Sequence, residues 1–225
     1  KELYKNEIKN FLKEKYGFKN LNMSPELEKI VINMGLGIDG NDNKIMKSEK
    51  ILITGSLGFI GKILINEFKN IDKLILIDKK KNLLNQKNFH QINLLNRNNL
   101  EEIFKKNKIT TIIHLASEIF DDDKNVYDYN VTTSRNLILM GEKFKIKNFI
   151  FTSTFSIYEK NYVKPILENE TPSAKNLYGK SKYKVETILK KSNLKNYTIL
   201  RVPIVVGKSR SHRMGILFEM IRNNF

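Results

Sequence analysis

Tyr178 and Lys182 are the two residues whose types and spacing most directly suggest chemistry. They stand four positions apart, so on a helix they share one face. An ammonium beside a phenol stabilises the phenolate and lowers the phenol's pKa from about 10, which makes Tyr178 a usable general acid or base. A solvated helix face would show the same pair. Thr154 ends an earlier apolar run and adds a hydroxyl. The order along the chain, Thr154 before Tyr178 and Lys182, is the one that this chemistry requires.

Three glycines, Gly55, Gly58 and Gly61, lie between an apolar run and an apolar helical pattern. A tight turn needs Gly55, close approach of the backbone to a pyrophosphate needs Gly58, and helix packing needs the missing side chain at Gly61. The helix start at Phe59 and Ile60 offers N–H donors to phosphates. Such glycines also mark ordinary turns, and the strand–glycine–helix context is what favours a dinucleotide site.

Asp78 ends the next apolar run, residues 74–77. A carboxylate there can accept hydrogen bonds from both ribose hydroxyls of adenosine and repels a 2′-phosphate, which favours NAD over NADP. Two alternatives stay open at this point. The lysines at 79–81 could pair with a 2′-phosphate, and Asp78 could simply cap a turn.

The elements that would position these residues follow from the hydrophobic pattern. From Lys50 onward, near-continuous apolar runs alternate with helical periods, which predicts a doubly wound α/β fold: a parallel sheet with helices on both faces. Strands are expected near residues 50–54, 73–77, 89–92, 110–115, 147–152 and 197–202, and helices near residues 59–69, 98–107, 126–145 and 176–192. Upstream, we expect a helix over residues 2–16, a strand over 27–35 and a polar boundary over 37–49.

Ordered motifs then carry a family resemblance. They are the glycine segment 54–61, Asp78, His114-Leu115-Ala116, Asn130-Val131, Asn136-Leu137, the segment 152–158, Tyr178 to Lys182, and Leu200-Arg201-Val202-Pro203. On these residues, 50–225 resemble the extended short-chain dehydrogenase/reductase family, the branch of NAD-dependent sugar-nucleotide epimerases, dehydratases and reductases. The resemblance implies a Rossmann domain and an enzyme. Members continue into a C-terminal substrate domain, so it also implies that this domain is largely missing here.

The resemblance assigns roles by position. Tyr178 would be the general acid or base for a substrate hydroxyl, Lys182 would hold the nicotinamide ribose and lower the pKa of Tyr178, and Thr154 would hydrogen-bond the same hydroxyl. Leu115 and Ala116 would pass beside the cofactor. His114, which precedes them, is expected to be a packed strand histidine.

Other matches and departures narrow the subclass. Asn93, with Leu94 beside it, stands where the family often has an Asp near adenine, and an amide can make similar hydrogen bonds. Phe155 and Ser156 replace the Asp and Glu of the 4,6-dehydratases, which disfavours water elimination. Ile204 replaces an Asn that touches the diphosphate in many epimerases. The expected substrate is still a nucleotide sugar, with epimerase and reductase chemistry both open, and a homodimer is compatible with the resemblance.

The first 47 residues follow a different pattern. The segment from Tyr4 through Asn33-Met34-Gly35 resembles the start of the large-subunit ribosomal protein five family, which binds 5S ribosomal RNA. It covers about a quarter of that family's usual length, so RNA is a partner only if this segment is functional. We predict two parts, 1–47 and 48–225, joined by an artificial junction near residues 46–50. A natural fusion is the alternative, and an inactive chimera is the third reading of the whole chain.

Composition limits the remaining functions. The 225 residues carry a formal charge of +16 and no Cys, which excludes disulfides and thiolate metal sites and suits a cytoplasmic location. Residues 1–50 hold ten Lys and eight Asp or Glu, so most of the charge lies in the dehydrogenase-like part. Scattered lysines rather than Arg clusters favour a solvated surface over a polyanion site. Asp121–Asp123 is expected to be a solvated loop, and neither a metal site nor a membrane span is predicted.

Overall fold

The computed structural model describes residues 49–82, 88–119, 124–158, 166–167, 170–203 and 205. All of them lie in the larger of the chain's two units, Asn43–Phe225. The predicted N-terminal helix and strand, the polar boundary over 37–48, Asp121–Asp123 and Ile204 lie outside the described residues.

Six parallel strands form one sheet in the order β3-β2-β1-β4-β5-β6. The predicted doubly wound fold is therefore confirmed, with each strand within two residues of its expected limits. The strands are β1 (Lys50–Thr54), β2 (Leu74–Asp78), β3 (Phe89–Gln91), β4 (Ile109–His114), β5 (Asn148–Thr154) and β6 (Tyr197–Val202).

In the described part of the chain, four α-helices connect the strands, again within two residues of the predicted limits. They are α1 (Phe59–Glu67), α2 (Arg97–Lys106), α3 (Lys124–Lys143) and α4 (Leu177–Lys190). Asparagine side chains cap two of them: Asn96 accepts from Asn99 N–H at α2, and Asn176 accepts from Gly179 N–H at α4. Two short 3-10 turns, Ile71–Lys73 and Phe155–Ile157, were not predicted, because three residues show no hydrophobic period. None of the described helices is long and apolar enough to cross a bilayer.

The core of the described unit explains the long apolar runs. Every residue of β4 is buried, as are Leu74–Ile77 in β2, because helices cover the sheet. The largest fully buried side chains include Phe149, Phe151 and Leu100.

The strand order positions the site. It reverses between β1 and β4, whose carboxyl ends meet where Thr54 pairs with His114. In open α/β sheets such a reversal leaves a crevice at the carboxyl edge, where ligands bind. Thr154 ends β5, the strand beside β4, and lies at the same edge. The glycine segment, the residues after β4 and Thr154 are thereby brought to one crevice.

Candidate active site

The glycine turn after β1 is closely packed against the end of β4. Gly55 has a φ of +69°, in the left-handed region, and a Cβ there would lie 2.7 Å from the backbone nitrogen of Ala116. The turn is closed by the Gly58 N–H, which donates to the Gly55 carbonyl at 3.0 Å. A Cβ on Gly61 would lie 2.4 Å from that same carbonyl oxygen. The positions of Gly55 and Gly61 therefore require glycine, as the sequence predicts.

Asp78 holds the glycine turn from the neighbouring strand. One carboxylate oxygen accepts the Leu57 N–H at 3.0 Å, and the other accepts the Lys80 N–H at 3.0 Å. Buried Ser56 adds a backbone bond of 3.2 Å to the Ile77 carbonyl. The carboxylate of Asp78 thus caps its own turn and also contacts the glycine turn. This position is compatible with both alternatives from the sequence, a turn cap and a ribose-binding carboxylate. Gly58 supplies no capping side chain to α1, whose start carries Phe59 and Ile60.

His114 is fully buried and hydrogen-bonded at both ring nitrogens. Its Nδ1 lies 2.7 Å from the Thr54 hydroxyl and its Nε2 lies 2.9 Å from the Ser134 hydroxyl. Ser134 donates its own proton to the Asn130 carbonyl, so Nε2 carries the ring proton and Nδ1 accepts from Thr54. Burial, with a smaller effect from Lys182, lowers the pKa of His114 to about 3. The ring is a neutral packed group, as predicted.

The backbone after β4 is fixed by two further contacts. Leu115 N–H donates to the Thr54 carbonyl at 3.2 Å, and Ala116 N–H reaches the Thr54 hydroxyl at 3.4 Å. The Asn130 side chain pairs with Glu118, accepting from its N–H at 2.8 Å and donating to its carbonyl at 2.9 Å. The segment 115–118 is therefore held against α3, at the edge of the crevice.

Tyr178 and Thr154 lie next to Ser117, which belongs to the segment 115–118. The Thr154 and Ser117 side chains lie close enough to the phenol of Tyr178 for both of them to lower its pKa. Helix α4 can approach because Gly179 has no side chain: a Cβ there would lie 2.6 Å from the Ser156 carbonyl. The structure thus places two of the three predicted catalytic residues, Tyr178 and Thr154, next to each other.

Lys182 lies one helical turn beyond Tyr178 on α4 and is buried. Its Nζ donates to the Thr152 carbonyl at 2.9 Å and lies 4.9 Å from the Phe151 ring centre and 5.7 Å from that of Tyr178. Burial lowers the pKa of Lys182 to about 7. The pKa of Tyr178 is raised by burial, with Thr154 and Ser117 opposing. Lys182 is not among the groups that shift the phenol's pKa in this structure, so its lowering of that pKa stays a prediction.

Asn93 and Leu94 follow β3, the outermost strand on the β2 side. Exposed Asn93 uses its side-chain oxygen to accept the Leu95 N–H at 3.0 Å, and buried Leu94 accepts from Asn136 at 2.9 Å through its carbonyl. Both lie at the carboxyl edge of the sheet, next to the end of β2, and no described contact brings them to Tyr178.

The sequence reasoning gave no role to three contributors to the site. Ser117 lies beside Tyr178, Asn130 holds the segment 115–118, and Gly179 lets the helix approach. A glycine in the first turn of a helix is unfavourable unless packing requires it, so Gly179 carried a usable signal. Ser117 did not, since a single serine in a loop has no distinguishing pattern.

These features define a class: a Rossmann-type nucleotide-binding domain, with a parallel sheet that reverses beside a glycine turn. The comparison with known families is more specific. The chain belongs to the NAD dependent epimerase/dehydratase family, whose model matches residues 51–224.

Curated relatives agree with this assignment. UDP-glucose 4-epimerase from Haemophilus influenzae is 31% identical over 192 residues, which cover 75% of this chain and 56% of that protein. The enzyme of the same name from Caenorhabditis elegans is 30% identical over 201 residues, with 75% and 57% covered. The chain thus spans a little more than half the length of these relatives.

Solved structures show the same fold. UDP-glucose 4-epimerase from Thermotoga maritima, solved with UDP-glucose, matches with a TM-score of 0.65 and 26% identity, covering 77% of this chain and 63% of that one. WbmG from Bordetella bronchiseptica, solved with NAD and UDP, has a TM-score of 0.68 at 22% identity, with 77% and 59% covered.

The other resemblance is also confirmed. The large ribosomal subunit protein uL5 of Pelagibacter ubique is 65% identical over 48 residues, which are 21% of this chain and 26% of that protein.

Proposed function

We propose that this chain binds NAD and forms the cofactor half of an enzyme that epimerises a nucleotide sugar, as the UDP-glucose 4-epimerases do by name. The observation that carries the proposal is the meeting of Tyr178 and Thr154 hydroxyls at the crevice edge, with buried Lys182 behind them. Reductase chemistry on a related sugar is the alternative within the same site.

The residues present fit a dinucleotide. Gly55 and Gly61 leave no room for side chains, and Gly58 leaves the start of α1 without a capping side chain. The N-terminus of a helix attracts phosphate because its N–H groups and its dipole point outward. The backbone of Leu115 and Ala116 lines the opposite side of the β1–β4 crevice. A pyrophosphate would lie over the glycine turn.

Oxidation of a sugar hydroxyl releases a proton and a hydride. NAD, when bound, supplies the hydride acceptor. The proton goes to Tyr178 Oη, and Thr154 Oγ holds the substrate oxygen. At neutral pH the raised pKa keeps Tyr178 protonated, so its own proton must first pass to solvent before Oη can accept the proton of the substrate hydroxyl. Lys182, with its pKa lowered to about 7, takes up a proton more readily when the phenol becomes a phenolate, because opposite charges attract.

NAD rather than NADP is the proposed cofactor. The carboxylate of Asp78 stands at the end of β2 and faces the Leu57 N–H of the glycine turn. A 2′-phosphate placed against it would meet a like charge. Lys79 does not offset this repulsion freely, because its ammonium forms an ion pair with Glu118.

Titration with NADH, followed by its fluorescence, tests the cofactor site. Gly58→Asp is expected to weaken binding at least tenfold, since it places a carboxylate against a phosphate. Asp78→Ala should narrow the preference for NADH over NADPH by about tenfold, the equivalent of about 1.4 kcal/mol. Lys62→Ala, on the exposed side of α1, is the matched control. Unchanged binding by Gly58→Asp would refute the assignment.

Epimerase turnover tests the chemistry. UDP-glucose and UDP-galactose are offered in turn, and the product is measured by chromatography. Tyr178→Phe should abolish conversion without weakening NADH binding more than twofold. Conversion of either sugar by Tyr178→Phe would refute the acid–base role of Tyr178. If the wild type binds NADH but converts neither sugar, the remaining length of the relatives is what turnover needs, and the chain alone is inactive.

Assembly and location belong to the same proposal. We expect a homodimer, as the family resemblance allows. We also expect a cytoplasmic protein, since a chain without Cys suits a reducing compartment. Light scattering of the purified chain checks the first of these, and a monomer at micromolar concentration would contradict it.

A second candidate function rests on residues 1–47, where the match to a ribosomal protein is strong but short. The proposal is that this segment contacts 5S ribosomal RNA. Its low net charge predicts weak binding with a shallow salt dependence. A gel shift with 5S RNA that shows no complex in 50 mM salt would eliminate it.

A further inference from the structure

A buried ion pair lies one helical turn beyond Lys182. The carboxylate of Glu186 on α4 is fully buried and receives Arg201 of β6 at two points, Nε at 3.1 Å and Nη2 at 2.7 Å. Ser153 of β5 donates to the same carboxylate at 2.5 Å. The Arg201 side chain is 20% exposed, and the hydrogen bonds to Glu186 raise its pKa, so the guanidinium stays charged.

The Glu186–Arg201 pair is hydrogen-bonded to the chain on both sides of Thr154. Ser153, which holds Glu186, immediately precedes it. Tyr158, which accepts a hydrogen bond from Arg201, ends the 3-10 turn Phe155–Ile157 that starts at Thr154. The Arg201 guanidinium also lies 5.3 Å from the Tyr158 ring centre.

The same carboxylate belongs to the helix that carries the phenol. Tyr178, Lys182 and Glu186 are spaced by four residues, which places them on one face of α4. Glu186 therefore links the backbone around Thr154 to the helix around Tyr178 through two hydrogen-bonded strands, β5 and β6.

We propose that Glu186 and Arg201 are positioning residues, which hold the Thr154 hydroxyl against the Tyr178 phenol. A buried ion pair is weak evidence of stabilisation by itself, because apolar residues of similar volume often stabilise as well. A bidentate pair does fix direction as well as distance, and acid–base sites require their groups within about 0.5 Å of the productive geometry. This inference rests on the proposed acid–base role of Tyr178.

The test reads the Tyr178–Thr154 contact directly. The protein is labelled with 3-fluorotyrosine, and the Tyr178 fluorine resonance is assigned by its loss in Tyr178→Phe. Its titration midpoint is then measured in Ser153→Ala and in Glu186→Gln. Thr154 lowers the pKa of Tyr178 through its hydrogen bond, so a displaced Thr154 should raise the midpoint, by about half a pH unit to one unit.

Two controls separate positioning from stability. Leu100→Ala opens a cavity in the core at α2, a helix that supplies neither Tyr178 nor Thr154, and should lower the melting temperature without moving the midpoint. Glu102→Gln removes an exposed carboxylate paired with Lys106 and should change neither.

An unchanged midpoint in folded Ser153→Ala and Glu186→Gln would overturn the inference. If Glu186→Gln does not fold, Ser153→Ala decides alone, since it removes one hydrogen bond to the Glu186 carboxylate and leaves the ion pair intact. NADH affinity should stay within twofold of the wild type in both variants, because the glycine turn is untouched. A wild type that does not bind NADH fails the proposed function, whereas the midpoint still reports on the positioning.

Discussion

Lys182 gives the sharpest prediction, because its burial couples the stability of the fold to pH. The pKa of this lysine falls from an ordinary value of 10.5 to about 7. Between these pH values the unfolded chain binds a proton that the folded chain does not, so stability rises with pH through this window. As pH falls toward 7, the folded state must either exclude the proton or bury the charge, and its stability drops.

The size of the effect follows from the two pKa values. Lys182→Met removes the titrating group, so the free energy of unfolding of the variant should gain on the wild type as pH falls. Between pH 9 and pH 6.5 the relative gain is about 2.5 kcal/mol, calculated from the proton-binding difference at each pH.

Urea unfolding followed by circular dichroism at pH 6.5, 7.5 and 9 measures this difference. Lys180→Met is the matched control, because Lys180 lies on the same helix and is exposed. Its curve should stay parallel to that of the wild type. A constant difference between Lys182→Met and the wild type at all three pH values would refute the reasoning, since Lys182 would then titrate like a solvated lysine.

Two further predictions concern the crevice. Gly61→Ala should destabilise the fold by about 1–3 kcal/mol in urea unfolding, because its Cβ would lie 2.4 Å from a backbone oxygen that cannot move aside, and an effect below about 0.5 kcal/mol would contradict this. The pKa of His114 is lowered to about 3, so the wild type loses stability as pH falls below about 6.5; between pH 8 and pH 4 the loss relative to His114→Gln should be about 3 kcal/mol, and equal acid unfolding of the two proteins would exclude it.

The strands and helices could be predicted because helices cover this sheet. An all-buried strand such as β4 has no polar face to break its apolar run, and the helices keep a clear period. The 3-10 turn after Thr154 was not predictable in this way, because it depends on side-chain bonds such as that from Ser156 N–H to Thr154 Oγ.

The residues of the candidate site could be predicted from the sequence, but their pKa shifts could not. Tyr178 and Lys182 have a fixed spacing that a sequence displays, but burial is a property of the folded chain, and burial is what raises the first pKa and lowers the second. The Glu186–Arg201 pair was equally invisible, because 15 residues of chain separate its members and only the folded chain brings them together.

The parallel pairing of β1 with β4 also has a kinetic consequence. Thr54 and its partner His114 are 60 residues apart, and Gly55 needs the backbone of Ala116 as its wall. Contacts between distant parts of a chain form late, since a long loop must close before they stabilise anything. During synthesis, the glycine turn therefore emerges well before the strand that completes the crevice. A nascent chain that ends before β4 holds the three glycines and has no groove, so a dinucleotide could bind there only after β4 has paired with β1.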